Sequence, residues 1–128
     1  MELQEIKNEL SNLTDRLSLE SATSEPFEFY HDEQHDASAL NEETVRKLAG
    51  MPSHYPTEVL PVQELFQAYA GDKEENKQRF QKLQEKLQEL LQDVKAYCVG
   101  EVRRTVFILG TTEKGEIAGL KSALTRPY

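Results

Sequence analysis

Two histidines and a glutamate in one short segment are the first side chains of this sequence that have metal-binding chemistry. His31, Glu33 and His35 share one face if the segment is a β-strand, because strand side chains repeat every two residues. On a helix, His31 and His35 align at i and i+4, and either arrangement can ligate Zn²⁺ or a related ion. The residues between them are polar and typical of a solvated loop, which is the leading interpretation. A small metal-dependent enzyme is kept as an alternative.

The sequence contains no pattern that is typical of nucleophilic catalysis. Cys98 is the sole cysteine, which excludes an internal disulfide and a cysteine zinc site. It lies among apolar residues, so we expect a small, buried side chain. The glycines at 110 and 115 have the context of a hairpin, not the strand-to-helix context of a phosphate-binding loop. We therefore expect a protein that is not an enzyme and has no cofactor of its own.

Acidic side chains dominate the chemistry of the chain. Its 128 residues include 23 acidic and 15 basic ones, a formal net charge of −8. Such a surface repels nucleic acid and anionic membranes and attracts basic partners, so direct binding to either is not expected. Three acidic groups stand out: Glu20, Glu25 and Glu28; then Asp32, Glu33, Asp36, Glu42 and Glu43; then Asp72, Glu74 and Glu75.

Clustered carboxylates have two interpretations. They can simply keep the surface soluble, or they can imitate phosphates, pairing with arginine and lysine and approaching a bound Mg²⁺. The second interpretation predicts docking in the basic cleft of a nucleic-acid enzyme. Arg103 and Arg104, the only paired basic site near a predicted strand, are expected to be exposed or to pair with the acidic helices.

Length and apolar content favour one domain over residues 1–128. The longest apolar run is Val106–Leu109, far below the ~20 residues that span a bilayer. The opening residues Met1–Glu5 contain neither a basic start nor an apolar stretch, so no signal peptide is expected. A lone cysteine fits a reducing compartment, and we expect a cytoplasmic protein.

Apolar residues at steps of three and four predict four helices. The stripe from Leu3 to Leu17 predicts a helix that packs on the body of the protein, with helix-mediated self-association as the alternative. Asn41 is the expected cap of a short helix that ends at Gly50. A second short helix follows over 61–69, and the longest spans about 73–96.

Alternating apolar residues predict the strands. Phe27–Tyr30 and the short edge strand Val59–Leu60 precede the long helix, and Arg104–Thr111 and Glu116–Thr125 form a hairpin after it. Apolar side chains of Arg104–Thr111 point to both faces, which indicates a strand covered on both sides. The sum is an α+β fold with a largely antiparallel sheet and helices on both faces.

Several segments of this chain resemble the nuclease A inhibitor family. They are Arg79–Leu83, Tyr97–Val102, Val106–Gly110 and Gly115–Leu120, of which Gly100-Glu101-Val102 and Ile117–Leu120 are the most specific. Upstream, Pro26–Phe29 and Leu65-Phe66 also fit. The resemblance covers the chain from about Leu13 to Thr125.

The family comprises inhibitors of sugar-non-specific nucleases. The resemblance implies a three-layer α/β/α sandwich that covers the active site of a Mg²⁺-dependent nuclease, near its bound Mg²⁺. We expect the free protein to be a monomer. The family's contact regions correspond here to Glu20–Glu25, Gly71–Glu75 and the C-terminal tail Arg126–Tyr128. The expected partner-binding residues are Glu20, Glu25, Asp72, Glu74, Glu75, Arg126 and Tyr128. An acidic module with a different target is the alternative.

The chain departs from the family pattern at each contact region. The family loop before the long helix can carry an exposed Asp-Trp tip, whereas this chain has no tryptophan and a short loop. The glutamate expected in the first loop falls near Ala22, with Glu20 and Glu25 the closest acids. The tail ends in Pro127-Tyr128, so any terminal carboxylate comes from Tyr128 at a different reach.

Overall fold

Four helices and one five-stranded sheet make up the part of the chain that a computed structural model describes, residues 2–19, 25–36, 40–52 and 54–125, with the backbone alone for 33–36. In chain order the elements are α1 (Leu3–Thr14), β1 (Glu28–Asp36), α2 (Glu42–Leu48), β2 (Thr57–Leu60), α3 (Val62–Tyr69), α4 (Glu74–Leu90), β3 (Gln92–Val99), β4 (Arg103–Thr111) and β5 (Glu116–Thr125). The sheet order is β1-β5-β4-β3-β2, and every pairing is antiparallel. The predicted α+β class and the antiparallel sheet are confirmed. Within these segments no helix is long and apolar enough to cross a membrane.

The central strands define two ends of the sheet. β4 pairs with β5 from Arg103↔Thr125 to Thr111↔Ile117. β3 begins opposite Thr111, at Gln92. The end at which β3 and β5 begin and β4 finishes is called the hairpin end. The opposite end, where β4 begins, is called the Arg103 end.

Alternate residues of β4 belong to two separate hydrophobic clusters. Val106 and Ile108 pack with residues of α1, α3 and α4, while Phe107 and Leu109 pack with Val45 of α2. None of these four strand side chains is more than 1% exposed. The predicted two-sided burial of this strand is confirmed.

Two local predictions hold at the residue level. The Asn41 side chain accepts a hydrogen bond from the Thr44 backbone N–H at 2.9 Å, which caps α2 as expected. β2, predicted as a short edge strand, is at the edge of the sheet beside β3.

The apolar stripe of α1 is buried inside the chain. Ile6 and Leu10 are at most 2% exposed and belong to the larger cluster. Leu17 is also buried, but α1 ends at Thr14, and a left-handed turn at Arg16 (φ 58°) returns Leu17 to the core. The helix predicted through Leu17 is therefore wrong in its last turn. The stripe considered for self-association is covered by the protein's own core.

The long helix ends earlier than its apolar spacing predicts. α4 finishes at Leu90, and Leu91 is already extended, so the prediction of a helix to Ala96 is wrong. Val94 continues the helical spacing from Leu91, yet it packs on the same cluster from a strand, together with Ala96. A bulge with Asp93 at φ 51° sets the register at the start of β3.

Candidate functional site

The end of the first acidic loop and the start of the C-terminal tail are adjacent at the Arg103 end. Glu25 accepts a hydrogen bond from the Arg103 guanidinium at 2.9 Å. Arg103 is in turn the register partner of Thr125, the residue before the tail. The Ser122 hydroxyl donates to the Glu25 carbonyl oxygen at 3.1 Å, so the backbone of Glu25 is also held against β5.

Helix α1 and helix α4 lie antiparallel and span the sheet between its two ends. Lys86 in the second half of α4 pairs with Glu9 at 3.3 Å. Arg79 in the first half donates to the Leu13 carbonyl oxygen at 3.4 Å and to the Asp15 carbonyl oxygen, just past the end of α1. The first turn of α4 is therefore near the C-terminus of α1.

Two further contacts fix which end of the sheet this is. Glu2, before α1, pairs with Lys114 in the β4–β5 turn at 3.4 Å, so α1 begins at the hairpin end. Phe80 of α4 packs edge-on against Phe27, with ring centroids 6.3 Å apart, and Phe27 follows Glu25 by two residues. The first turn of α4 is thus at the Arg103 end, together with Glu25 and Thr125.

The third acidic group leaves its carboxylates unpaired. Asp72, Glu74 and Glu75 are exposed, and none forms an ion pair with a described residue. Glu74 and Glu75 occupy the first turn of α4, where the helix dipole favours negative charge. These three carboxylates are available to a cationic partner, whereas Glu25 is held by Arg103.

Three of the predicted contact residues, Glu20, Arg126 and Tyr128, lie outside the described residues. The described chain reaches Leu19 before the first loop and Thr125 before the tail. Both anchor residues are in the fold, since Leu19 is fully buried and Thr125 ends β5.

The histidine segment is a strand, which corrects the solvated-loop interpretation. β1 continues to Asp36 and pairs with β5. His31 Nε2 lies 2.5 Å from Glu116 Oε2, a cross-strand contact. The side chains of Glu33 and His35 lie outside the described residues, and no group of three or more potential ligands forms among the side chains that are described. The loop interpretation failed because pairing with β5 satisfies the backbone of a polar segment whose own residues give no strand pattern.

Arg104 corrects both predictions for the paired arginines, since it is neither exposed nor paired with an acidic helix but pairs with Glu58 of β2. Arg103 is exposed, but only 6% of Arg104 is. Arg104 Nε donates to the Gly100 carbonyl oxygen at 3.1 Å, and its guanidinium pairs with the Glu58 carboxylate at 3.3 Å. Arg104 lies on the same face of β4 as Val106 and is held there by its contacts with Gly100 and Glu58, whereas Arg103 is the first residue of the strand.

Cys98 confirms its predicted burial. It is 1% exposed, and burial raises the pKa of its thiol to about 11, although the nearby Arg104 guanidinium acts in the opposite direction. Because the thiolate is the reactive form, such a thiol is inert at neutral pH.

A groove of about 580 Å³ lies between α3 and α4. Phe66 and Phe80 are at its base, and glutamines of both helices line its sides. Its titratable lining residues are Lys77 and Glu85, on different turns of α4. The groove therefore contains neither a nucleophile with a base nor a pair of carboxylates, and the Arg103 end is the stronger candidate site.

Comparison with known proteins agrees with the resemblance read from the sequence. A search of curated proteins gives no match. The family model described as nuclease A inhibitor-like protein (NuiA) matches residues 4–125, from the first turn of α1 to the end of β5. The chain therefore belongs to the nuclease A inhibitor-like family.

Proposed function

We propose that this protein is a stoichiometric inhibitor of a sugar-non-specific, Mg²⁺-dependent endonuclease and that it covers the enzyme's active site with its Arg103 end. Membership of an inhibitor family over residues 4–125 supports the general function. The observation that carries the site is the set of unpaired carboxylates at the start of α4, on the same end as Glu25 and Thr125.

The chemistry of the target explains why carboxylates can block it. An enzyme that cuts both DNA and RNA must grip the phosphate backbone with cationic side chains and Mg²⁺, and carboxylate oxygens suit both kinds of group. Glu74 and Glu75 are on a helix whose Phe80 is buried in the core, so their backbone is already ordered before binding. Preorganisation of this kind lowers the entropic cost of association.

Glu25 has a different role in this proposal. Its carboxylate already has a partner in Arg103, so it positions the first loop beside the tail more than it offers free charge. Glu20, Arg126 and Tyr128 are included as contact residues because they continue from this junction and correspond to the family's contact regions. Contact with the nuclease's bound Mg²⁺ is assigned to this part of the surface.

The architecture and the state of the free protein are also part of the proposal. We infer one domain with three α/β/α layers, α1, α3 and α4 on one face and α2 on the other, on the support of the two hydrophobic clusters. The free protein is inferred to be a cytoplasmic monomer. Light scattering after size exclusion tests the monomer, and fractionation of the source cells tests the location.

The direct experiment is titration of such a nuclease with this protein. Nuclease activity on DNA and on RNA should fall linearly and reach its minimum at a 1:1 ratio of the two proteins. We expect the complex to bury roughly 800 Å² on each partner. A chain shortened by Arg126–Tyr128 should inhibit less while keeping the same unfolding transition. Undiminished nuclease activity at excess protein would overturn the proposal.

A further inference from the structure

The turn between β3 and β4, taken together with the first residue of β4 as residues 100–103, presents an apolar side chain next to the proposed contact surface. Val102 is 43% exposed, and among the described residues it is the one large hydrophobic side chain in that state. Glu101 and Arg103 on either side of it are exposed as well. This turn is not one of the three contact regions that the family resemblance assigns.

Arg103 joins this turn to the acidic surface. Its guanidinium holds Glu25 at 2.9 Å, and its backbone is in register with Thr125. Val102 is therefore one residue away from the junction of the first loop and the tail. A partner that covers this junction also reaches Val102.

Hydrogen bonds at Gly100 anchor the turn to the rest of the fold. The Gly100 N–H donates to the Pro56 carbonyl oxygen at 2.8 Å, and the Gly100 carbonyl oxygen accepts from Arg104 at 3.1 Å. Gly100 has φ 125°, and a Cβ there would be 2.5 Å from the Arg103 carbonyl oxygen, so the turn requires glycine. A valine fixed on such a turn loses little conformational freedom when a partner covers it.

We propose that the turn 100–103 is a fourth contact segment and that Val102 packs into an apolar patch beside the basic cleft of the nuclease. This inference rests on the proposed function. Carboxylates steer the encounter and select the partner, but their desolvation offsets much of their attraction. An apolar side chain next to Arg103 adds buried area without that penalty, which is how interface anchors contribute to affinity.

The test compares valine variants in binding to the nuclease that the wild-type protein inhibits. Val102→Ala should raise the dissociation constant about threefold to tenfold, and Val102→Asp at least about tenfold. Urea unfolding of both variants should match the wild type, because the side chain is exposed. Gln4→Asp is the control, since it adds the same charge on an exposed position of α1 at the hairpin end and should leave the affinity unchanged.

The outcomes separate the inference from the proposed function. Wild-type affinity in Val102→Asp would overturn the inference and leave the inhibitor proposal standing. Equal weakening by Val102→Asp and Gln4→Asp would overturn it too, because added charge alone would then explain the loss. Absence of wild-type binding would overturn the proposed function and the inference together. Amide hydrogen exchange gives a second readout, with slower exchange at 101–103 in the complex as the supporting result.

Discussion

Arg103 and Arg104 are adjacent in sequence and lie in opposite environments. Arg103 is exposed and pairs with Glu25, while the Arg104 side chain is buried against Gly100 and Glu58. Exposed ion pairs contribute ~0–1 kcal/mol to stability, whereas loss of a buried hydrogen-bonding partner costs more. The two residues should therefore separate function from stability.

Arg104→Ala should lower the free energy of unfolding by about 2 kcal/mol, because the Gly100 carbonyl loses its donor and packed methylene groups are removed. Arg103→Ala should lower it by less than about 0.5 kcal/mol but weaken nuclease inhibition, since Glu25 loses its partner. Urea titration followed by circular dichroism measures the first effect, and activity titration the second. Similar destabilisation by both variants would contradict the assigned environments.

Cys98 should make stability fall at high pH. The unfolded thiol titrates near pH 9.0, whereas burial raises the folded pKa to about 11. Between these values the unfolded chain releases a proton that the folded protein keeps, so stability is lost as the pH rises. From pH 8 to pH 11 the wild type should lose about 2 kcal/mol more than Cys98→Ala. Equal losses in chemical denaturation at the two pH values would show that the thiol titrates freely in the fold.

Strand β5 lies so close to its neighbour β4 at Gly119 that there is no room for a side chain. A Cβ at Gly119 would be 1.9 Å from the Ile108 carbonyl oxygen. Gly115, in the hairpin turn, has φ 81° but open space around a Cβ. The first glycine is required by close approach of two backbones, and the second only by its dihedral angle.

Gly119→Ala should lower the free energy of unfolding by about 3 kcal/mol or more, because the clash is with backbone in the centre of the sheet. Gly115→Ala should cost about 1 kcal/mol, the strain of a left-handed alanine. Thermal and urea unfolding of the pair provide the comparison. A smaller loss for Gly119→Ala than for Gly115→Ala would contradict the close approach of the two strand backbones at Gly119.

The spacing of apolar residues predicted which helices and strands form better than it predicted where they end. Helix α4 and the two-sided strand β4 followed from apolar spacing, because each buries a continuous set of side chains. The α4–β3 boundary did not, since Val94 fits both a helical and a strand pattern. The polar half of β1 was missed because its structure comes from pairing with β5, not from its own residues.

The candidate site, too, could be predicted from the sequence only in part. Composition and the resemblance pointed to Asp72, Glu74 and Glu75, but only the strand register and the α1–α4 packing bring them to the same end as Glu25. The Arg103–Glu25 contact joins residues 78 positions apart. No local sequence pattern predicts a contact between residues so far apart. The exposure of Val102 could not be predicted either, because it depends on the geometry of the turn.

The charge of the protein as a whole should control how fast it finds a basic partner. A net charge of −8 and a set of exposed carboxylates at one end favour long-range attraction to a cationic cleft. The association rate constant should fall as NaCl rises from about 50 to 500 mM, because the Debye length falls below ~10 Å, while the dissociation rate changes little. Stopped-flow fluorescence measures both. A salt-independent association rate would contradict electrostatic steering.

The central claim is that the unpaired carboxylates of the Arg103 end occupy the nuclease's phosphate-binding site. The most direct measurement is the inhibition constant of the triple variant Asp72→Asn, Glu74→Gln, Glu75→Gln beside a control that removes three exposed acids elsewhere, Glu5→Gln, Glu85→Gln, Glu113→Gln. Both variants lose the same charge, so the control corrects for net charge. The inhibition constant of the first should rise at least about tenfold, and that of the control should stay within about threefold of the wild type. Equal inhibition by the two variants would contradict the claim.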